Sequence, residues 1–253
     1  MGEYFWVTEN TLPDGVGVTA YCVGHVIWLV CGFLAAAVCA LVYRRLSVHG
    51  RRVFSVSLAL VIAVSEVVKD TFLAVNGAFG VGYLPLHLCG LSIFACLADA
   101  FHPTELGRQL LYCLVLPGAL AALLFPDWLR YPLCSFQSIH SFTIHILLIT
   151  YPIMKLPCGE LRPDWKKLPR CFLLLVCVAA PVYVFNKVFG TNFMFLNWPS
   201  AGSPLELFAQ WLGNPGYLLG LAALFPLVWS VMYLPWIISD AVKRKKRPLS
   251  EPS

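Results

Sequence analysis

The chain has 253 residues, 59% hydrophobic and 12% charged, with a mean hydropathy of +0.74. A water-soluble domain carries about twice that share of charge, so composition excludes a soluble globular protein and points to a polytopic membrane protein. The net charge of +5 is no nucleic-acid signature, because the cations stand in short clusters beside apolar runs.

Seven apolar stretches are long enough to cross a hydrocarbon core, which needs about 20 residues each. They lie near 21–43, 53–75, 84–101, 106–124, 138–156, 168–189 and 216–238. The N-terminus lacks a basic n-region, so the first stretch is expected to act as an uncleaved insertion signal. The third is short and the fourth contains Pro117-Gly118, which predicts a broken or tilted helix in each. The ten cysteines fall mostly in or beside the apolar runs and give no disulfide framework. The expected fold is therefore all-α: a single transmembrane domain, a polytopic bundle of seven helices, followed by a basic tail over 239–253.

Charge sets the expected orientation. All but Lys69, Arg130 and Lys187 of the 18 basic residues fall in alternate connections or in the run Lys243 to Arg247. The positive-inside rule then puts the N-terminus outside and the tail in the cytoplasm, where the basic run would pin the last span to an anionic leaflet. This orientation sorts the polar residues by depth. Glu66 and Lys69 near the outer end of the second span, His87 and Cys89 at the start of the third, and His140, Ser141 and His145 on the fifth share the outer layer. The inner half is expected to carry basic rims and little else.

Ionisable residues at membrane depth cost about 2.5–3.5 kcal/mol on insertion scales and normally face a bundle interior or cavity. Glu66 and Lys69, three apart, share a helix face and can neutralise each other. That pair reads either as a structural lock or as a functional pair. In the second case Glu66 orients a histidine and Lys69 meets a lipid phosphate or a developing oxyanion. Pro85 suits the first turn of the third span, which places His87 and Cys89 near a helix N-terminus, where the field favours thiolate. A cysteine in an apolar span is otherwise a small hydrophobe. His140 and His145 diverge by about 140° around a helix and cannot form a helix-borne zinc pair. His145 shares a stripe with Ser138 and Ser141, which makes it the inward residue and the expected basic partner for Cys89. His87 is left as a supporting or substrate-contacting group. The sixth span is followed by Thr191-Asn-Phe-Met-Phe-Leu-Asn197, apolar enough to dip back toward the bilayer. Asn192 and Asn197 are candidates there for stabilising an oxyanion, as are the free N–H groups opening the third span.

Four runs carry a family resemblance: Leu84-Pro-Leu-His-Leu-Cys89, Pro117-Gly-Ala-Leu120, Ser138-Ile-His-Ser-Phe-Thr-Ile-His145 and Thr191 to Asn197. Together they resemble the YwaF-like integral membrane proteins over essentially the whole span region. The resemblance extends to a vertebrate acyltransferase that makes polyunsaturated ether phospholipids through a cysteine and a histidine. It implies Cys89 as the nucleophile and His145 as the histidine, with His140 as the competing assignment, and it leaves the substrate open.

The expected function is a membrane-embedded lipid acyltransferase or transacylase, with a phospholipid or lysophospholipid and an acyl donor as partners. No cofactor, metal or nucleic acid is called for. The expected location is the cell membrane in a bacterium, or an endomembrane such as the endoplasmic reticulum or Golgi in a eukaryote. With water as acceptor the same site is a lipid hydrolase. A seven-span receptor or transporter with an external polar pocket is a non-enzymatic alternative. A zinc hydrolase built from His87, His140, His145 and Glu66 is a third, which needs unwound spans.

Overall fold

The computed structural model describes residues 4–245, so most of the basic tail lies outside the described residues. Eight helices follow in order: α1 Val23–Arg45, α2 Val48–Val75, α3 Leu88–Phe101, α4 Glu105–Leu124, α5 Phe136–Lys155, α6 Leu168–Phe189, α7 Pro204–Leu212 and α8 Tyr217–Lys245. Four segments are long and apolar enough to cross a membrane: Val23–Arg45, Glu105–Leu124, Trp165–Phe189 and Tyr217–Lys243. The chain is an all-helical integral membrane protein.

Helix α5 is the axis of the bundle. It packs against α1, α2, α3 and α4, and 12 of its 20 residues are buried. Because protein surrounds it, α5 needs no lipid-compatible face and can carry Gln137, Ser138, His140, Ser141 and His145. Helix α1 shows the opposite pattern. It buries Gly32, Ala36 and Ala40 and turns Ile27, Val30, Leu34, Val38 and Leu41 outward. Small residues let backbones approach closely where lipid gives no hydrophobic drive between helices. Helix α2 likewise exposes Leu60, Val61, Val64, Val67 and Val68.

The two expected irregularities have distinct causes. Helix α4 contains a π turn at Leu111–Val115, just before Pro117. Proline has no N–H to offer the Cys113 carbonyl four residues back. The indole N–H of Trp229 on α8 donates to that carbonyl instead, at 2.8 Å. The third span starts later than its proline suggests. Pro85 lies before the helix, His87 is its N-cap with extended backbone (φ −68°, ψ 155°), and α3 opens at Leu88. Gly90 allows this, since a Cβ there would meet the Pro85 Cα at 2.8 Å. The segment preceding the helix is therefore folded back against its first turn.

The expectation of an inner half with basic rims and little else does not hold. At the end of the bundle away from Cys89, Lys155 Nζ lies 3.0 Å from Asp99 Oδ2, and both side chains are almost fully buried. Tyr151 donates to the same Asp99 oxygen at 3.0 Å, and Lys155 donates to Ser55 Oγ at 3.3 Å. Tyr43 joins the network by donating to Glu160 at 2.6 Å. Asp99 was hidden in sequence by its apolar neighbours, and Lys155 by its position in a basic connection.

Candidate functional site

One cavity of about 720 Å³ runs into the bundle, within the size range of small-molecule sites. Cys89, His145, His87, His140, Ser141, Glu66 and Lys69 all line it. Seven of the nine residues singled out from sequence thus meet at one space.

Cys89 is the second residue of α3. The first N–H groups of a helix lack intrahelical partners, and Cys89 stands among them. The later helix start therefore sets the thiol deeper in the N-terminal field than the proline position implied. Gly118 on α4 faces Leu88, where a Cβ would come within 2.8 Å of its side chain. The glycine after Pro117 lets α4 close one wall of the cavity against the start of α3.

His145 is fixed in ring orientation and tautomer. Its Nδ1 lies 2.7 Å from the Ser141 carbonyl oxygen, which can only accept, so Nδ1 carries the proton. The neutral ring then presents the Nε2 lone pair. The imidazole also stacks on Trp128, with centroids 5.0 Å apart and planes 11° off parallel. His140 is held differently. Its Nε2 stands 3.5 Å from Glu66 Oε2, while the other Glu66 oxygen accepts from Lys69 Nζ at 2.6 Å. Lys69 also lies 3.1 Å from Asp70. The histidine that Glu66 approaches is thus His140.

His87 has the opposite tautomer from His145. The backbone N–H of Met194 donates to its Nδ1 at 3.2 Å, so the proton sits on Nε2. The ring packs between Phe193 and Phe195. The loop after α6 dips back as expected, and it comes down onto His87, with Met194, Phe195 and Leu196 in the cavity wall. Met194 and Phe195 adopt φ of +56° and +54°, an uncommon conformation for residues with a side chain. Buried Asn186 supports the bend. It donates to the Phe193 carbonyl and accepts from Phe193 N–H and the Thr191 hydroxyl, all at 2.8–2.9 Å.

Asn192 and Asn197 are not among the cavity-lining residues. Asn192 spends its side chain on Trp198 and on the Asn197 backbone, and Asn197 bonds Thr191 and Lys187. They shape the loop, away from the cavity wall. Leu88, Cys89 and Gly90, which open α3, do line the cavity.

Several polar lining residues escaped the sequence reading. Asp127, Gln137 and Glu9 all border the cavity. Asp127, itself exposed, lies on the connection between α4 and α5, beside the Trp128 that stacks on His145. Its one signal was position, an acid among aromatic residues just past a span. The buried Gln137 Nε2 has no hydrogen-bond partner among the described residues. Glu9 comes from the segment before α1 and bridges the rim, accepting from Tyr83 at 3.2 Å and from Arg130 at 2.8 Å. Burial, with Tyr131 and Glu9 close by, pushes the Tyr83 phenol up, which keeps it a donor to Glu9. Among the described residues, no three His, Cys, Asp or Glu side chains converge as a metal-binding set.

The model of the TMEM164 family matches residues 20–233, which include Cys89, both α5 histidines and every helix bordering the cavity. Neither the curated proteins nor the solved structures yielded a match. With most of its length covered by that family model, the chain belongs to the TMEM164 family.

Proposed function

We propose that this protein is a lipid acyltransferase or transacylase in which Cys89 is the nucleophile and His145 the base. The observation that carries the reading is the shared cavity: a thiol at a helix N-terminus and an imidazole with an unpaired Nε2 border the same space. The likeness to YwaF-like proteins and their acyl-transferring relative supports the same pair.

His145 Nε2 takes the Cys89 proton as the sulfur attacks the carbonyl carbon of an acyl ester or thioester. Charge on the carbonyl oxygen is met by free N–H groups opening α3. The tetrahedral adduct collapses to an acyl thioester, and the leaving oxygen or sulfur takes the proton from His145. A lysophospholipid hydroxyl then enters and gives its proton to Nε2. It attacks the thioester and expels the Cys89 thiolate, which is reprotonated. Ser141 keeps His145 in the required tautomer throughout, and Trp128 holds the ring plane. Lys69 and Arg130, at the polar rim, suit the phosphate of the acceptor.

The bundle is read as seven crossings, α1 to α6 and α8, with an external N-terminus and a cytoplasmic C-terminal end. Helices α2, α3 and α5 are read as crossing because α5 packs against α1, α2, α3 and α4, which meets its polar residues with protein. This puts the cavity mouth at the external or lumenal leaflet, in a bacterial cell membrane or a eukaryotic endomembrane. The direct test compares the phospholipid profile of cells expressing wild type and Cys89→Ala, with acyl transfer measured in isolated membranes. Loss of transfer and of the associated lipid change is expected. Full transfer by Cys89→Ala would remove the mechanism.

A further inference from the structure

Below Cys89 the cavity changes character. Its polar residues gather at the rim and around His145, while its deeper walls are Leu114, Leu175, Ala179, Leu224, Val228 and Trp229, from α4, α6 and α8. Among these six side chains the one polar atom, the Trp229 indole N–H, is already committed to the Cys113 carbonyl. Such walls offer nothing to a headgroup, a sugar or a nucleotide, and they suit hydrocarbon. Depth can be read along α8. Tyr217 donates to the Phe195 carbonyl in the loop at the mouth, and Trp229 lies 12 residues further along the same helix. At 1.5 Å per residue that is about 18 Å, close to the roughly 15 Å of one leaflet's hydrocarbon. The mouth is also flanked by α7, which contributes Pro204 and Leu205 to the cavity while exposing Leu207, Trp211 and Leu212. An apolar stripe of this kind beside a helix opening is the signature of a segment lying in a membrane interface.

We propose that this deep arm is a binding channel for a single long acyl chain, with Trp229 as its floor and the residue that limits chain length. The inference extends the acyltransferase reading by assigning the hydrocarbon of its substrate. It is tested separately, because binding in the channel needs neither the thiol nor turnover. Bound this way, a chain lying along α8 carries its carboxyl carbon up to Cys89 and the start of α3. The indole, fixed by its bond to Cys113 and packed edge-on against Phe172 at 6.0 Å, forms a floor that does not yield easily.

The test uses the full-length Cys89→Ala protein in detergent micelles or bilayers, with a photoactivatable long-chain fatty acid as probe. Crosslinks are expected on Leu224, Val228 and Trp229 of α8 and on Leu175 or Ala179 of α6. Competition by palmitate should exceed competition by octanoate. Val228→Trp should shorten the channel and weaken palmitate competition by about tenfold or more while sparing octanoate. Trp229→Ala should extend acceptance to chains longer than palmitate, and Trp229→Phe, which keeps the bulk, should not. Crosslinks confined to outward-facing residues such as Leu219 or Val231, or a chain-length preference that Val228→Trp leaves unmoved, would overturn the proposal. Channel crosslinking in a protein that transfers no acyl group would leave the channel standing and remove only the enzymatic reading.

Discussion

At the scale of single residues, the two α5 histidines are separable by their partners. His145 donates from Nδ1 to a backbone carbonyl and keeps Nε2 free, whereas His140 faces Glu66. His145→Gln should therefore lower acyl transfer by about 100- to 10,000-fold, the usual worth of a positioned base. His140→Gln should retain most of it, and rates in isolated membranes decide between them. Helical phase in the sequence already favoured His145, but the ring orientations could not be read there, because they depend on Trp128 and Glu66, which are remote in sequence. Asp99 and Lys155 permit a stability experiment free of the active site. Removing one partner of a buried ion pair costs about 3–5 kcal/mol, so Asp99→Ala should lower the unfolding midpoint of the purified protein sharply. Replacing both partners with apolar residues, Asp99→Leu with Lys155→Met, should recover much of the loss.

At the scale of elements, hydropathy located the apolar stretches well, since observed helices accompany all of them. It could not place the start of α3. A proline near a helix start reads as a first-turn residue, whereas here Pro85 packs on Gly90 outside the helix. That contact makes Gly90 a test of how α3 is seated. Gly90→Ala forces the Pro85 segment away, at a cost of about 1–3 kcal/mol, and should reduce transfer more than it reduces thermal stability. The loop after α6 turns back as expected, and its asparagines, the oxyanion candidates, are bonded within the loop itself. Polar side chains in a tight loop more often satisfy that loop's own backbone, and Asn192 and Asn197 do so. Asn186→Ala would strand the Phe193 N–H and carbonyl, each worth about 1–3 kcal/mol when buried unpaired. Limited proteolysis should then cut the 191–198 loop faster than in wild type.

At the scale of the whole molecule, polarity is concentrated at two levels. One surrounds Cys89 and the α5 histidines; the other is the Asp99–Lys155 network at the far end of the same helices. Sequence reading found the first through its histidines and missed the second, since one acid in an apolar helix has no periodicity to announce it. The proposed orientation follows from the basic connections. An N-glycosylation acceptor inserted between Glu9 and Asp14 should be modified in a eukaryotic host, and one inserted between Cys158 and Asp164 should not. The reverse pattern would place the cavity mouth on the cytoplasmic side and move the acyl donor pool with it.

The proline in α4 reaches further than its own helix. By leaving the Cys113 carbonyl free it provides the acceptor that anchors the Trp229 indole nitrogen. Pro117→Ala would give α4 its missing amide and set the two donors in competition for one oxygen. A regularised helix would then come at the expense of a settled indole, and selectivity among fatty acids would blur although every residue near the sulfur was unchanged.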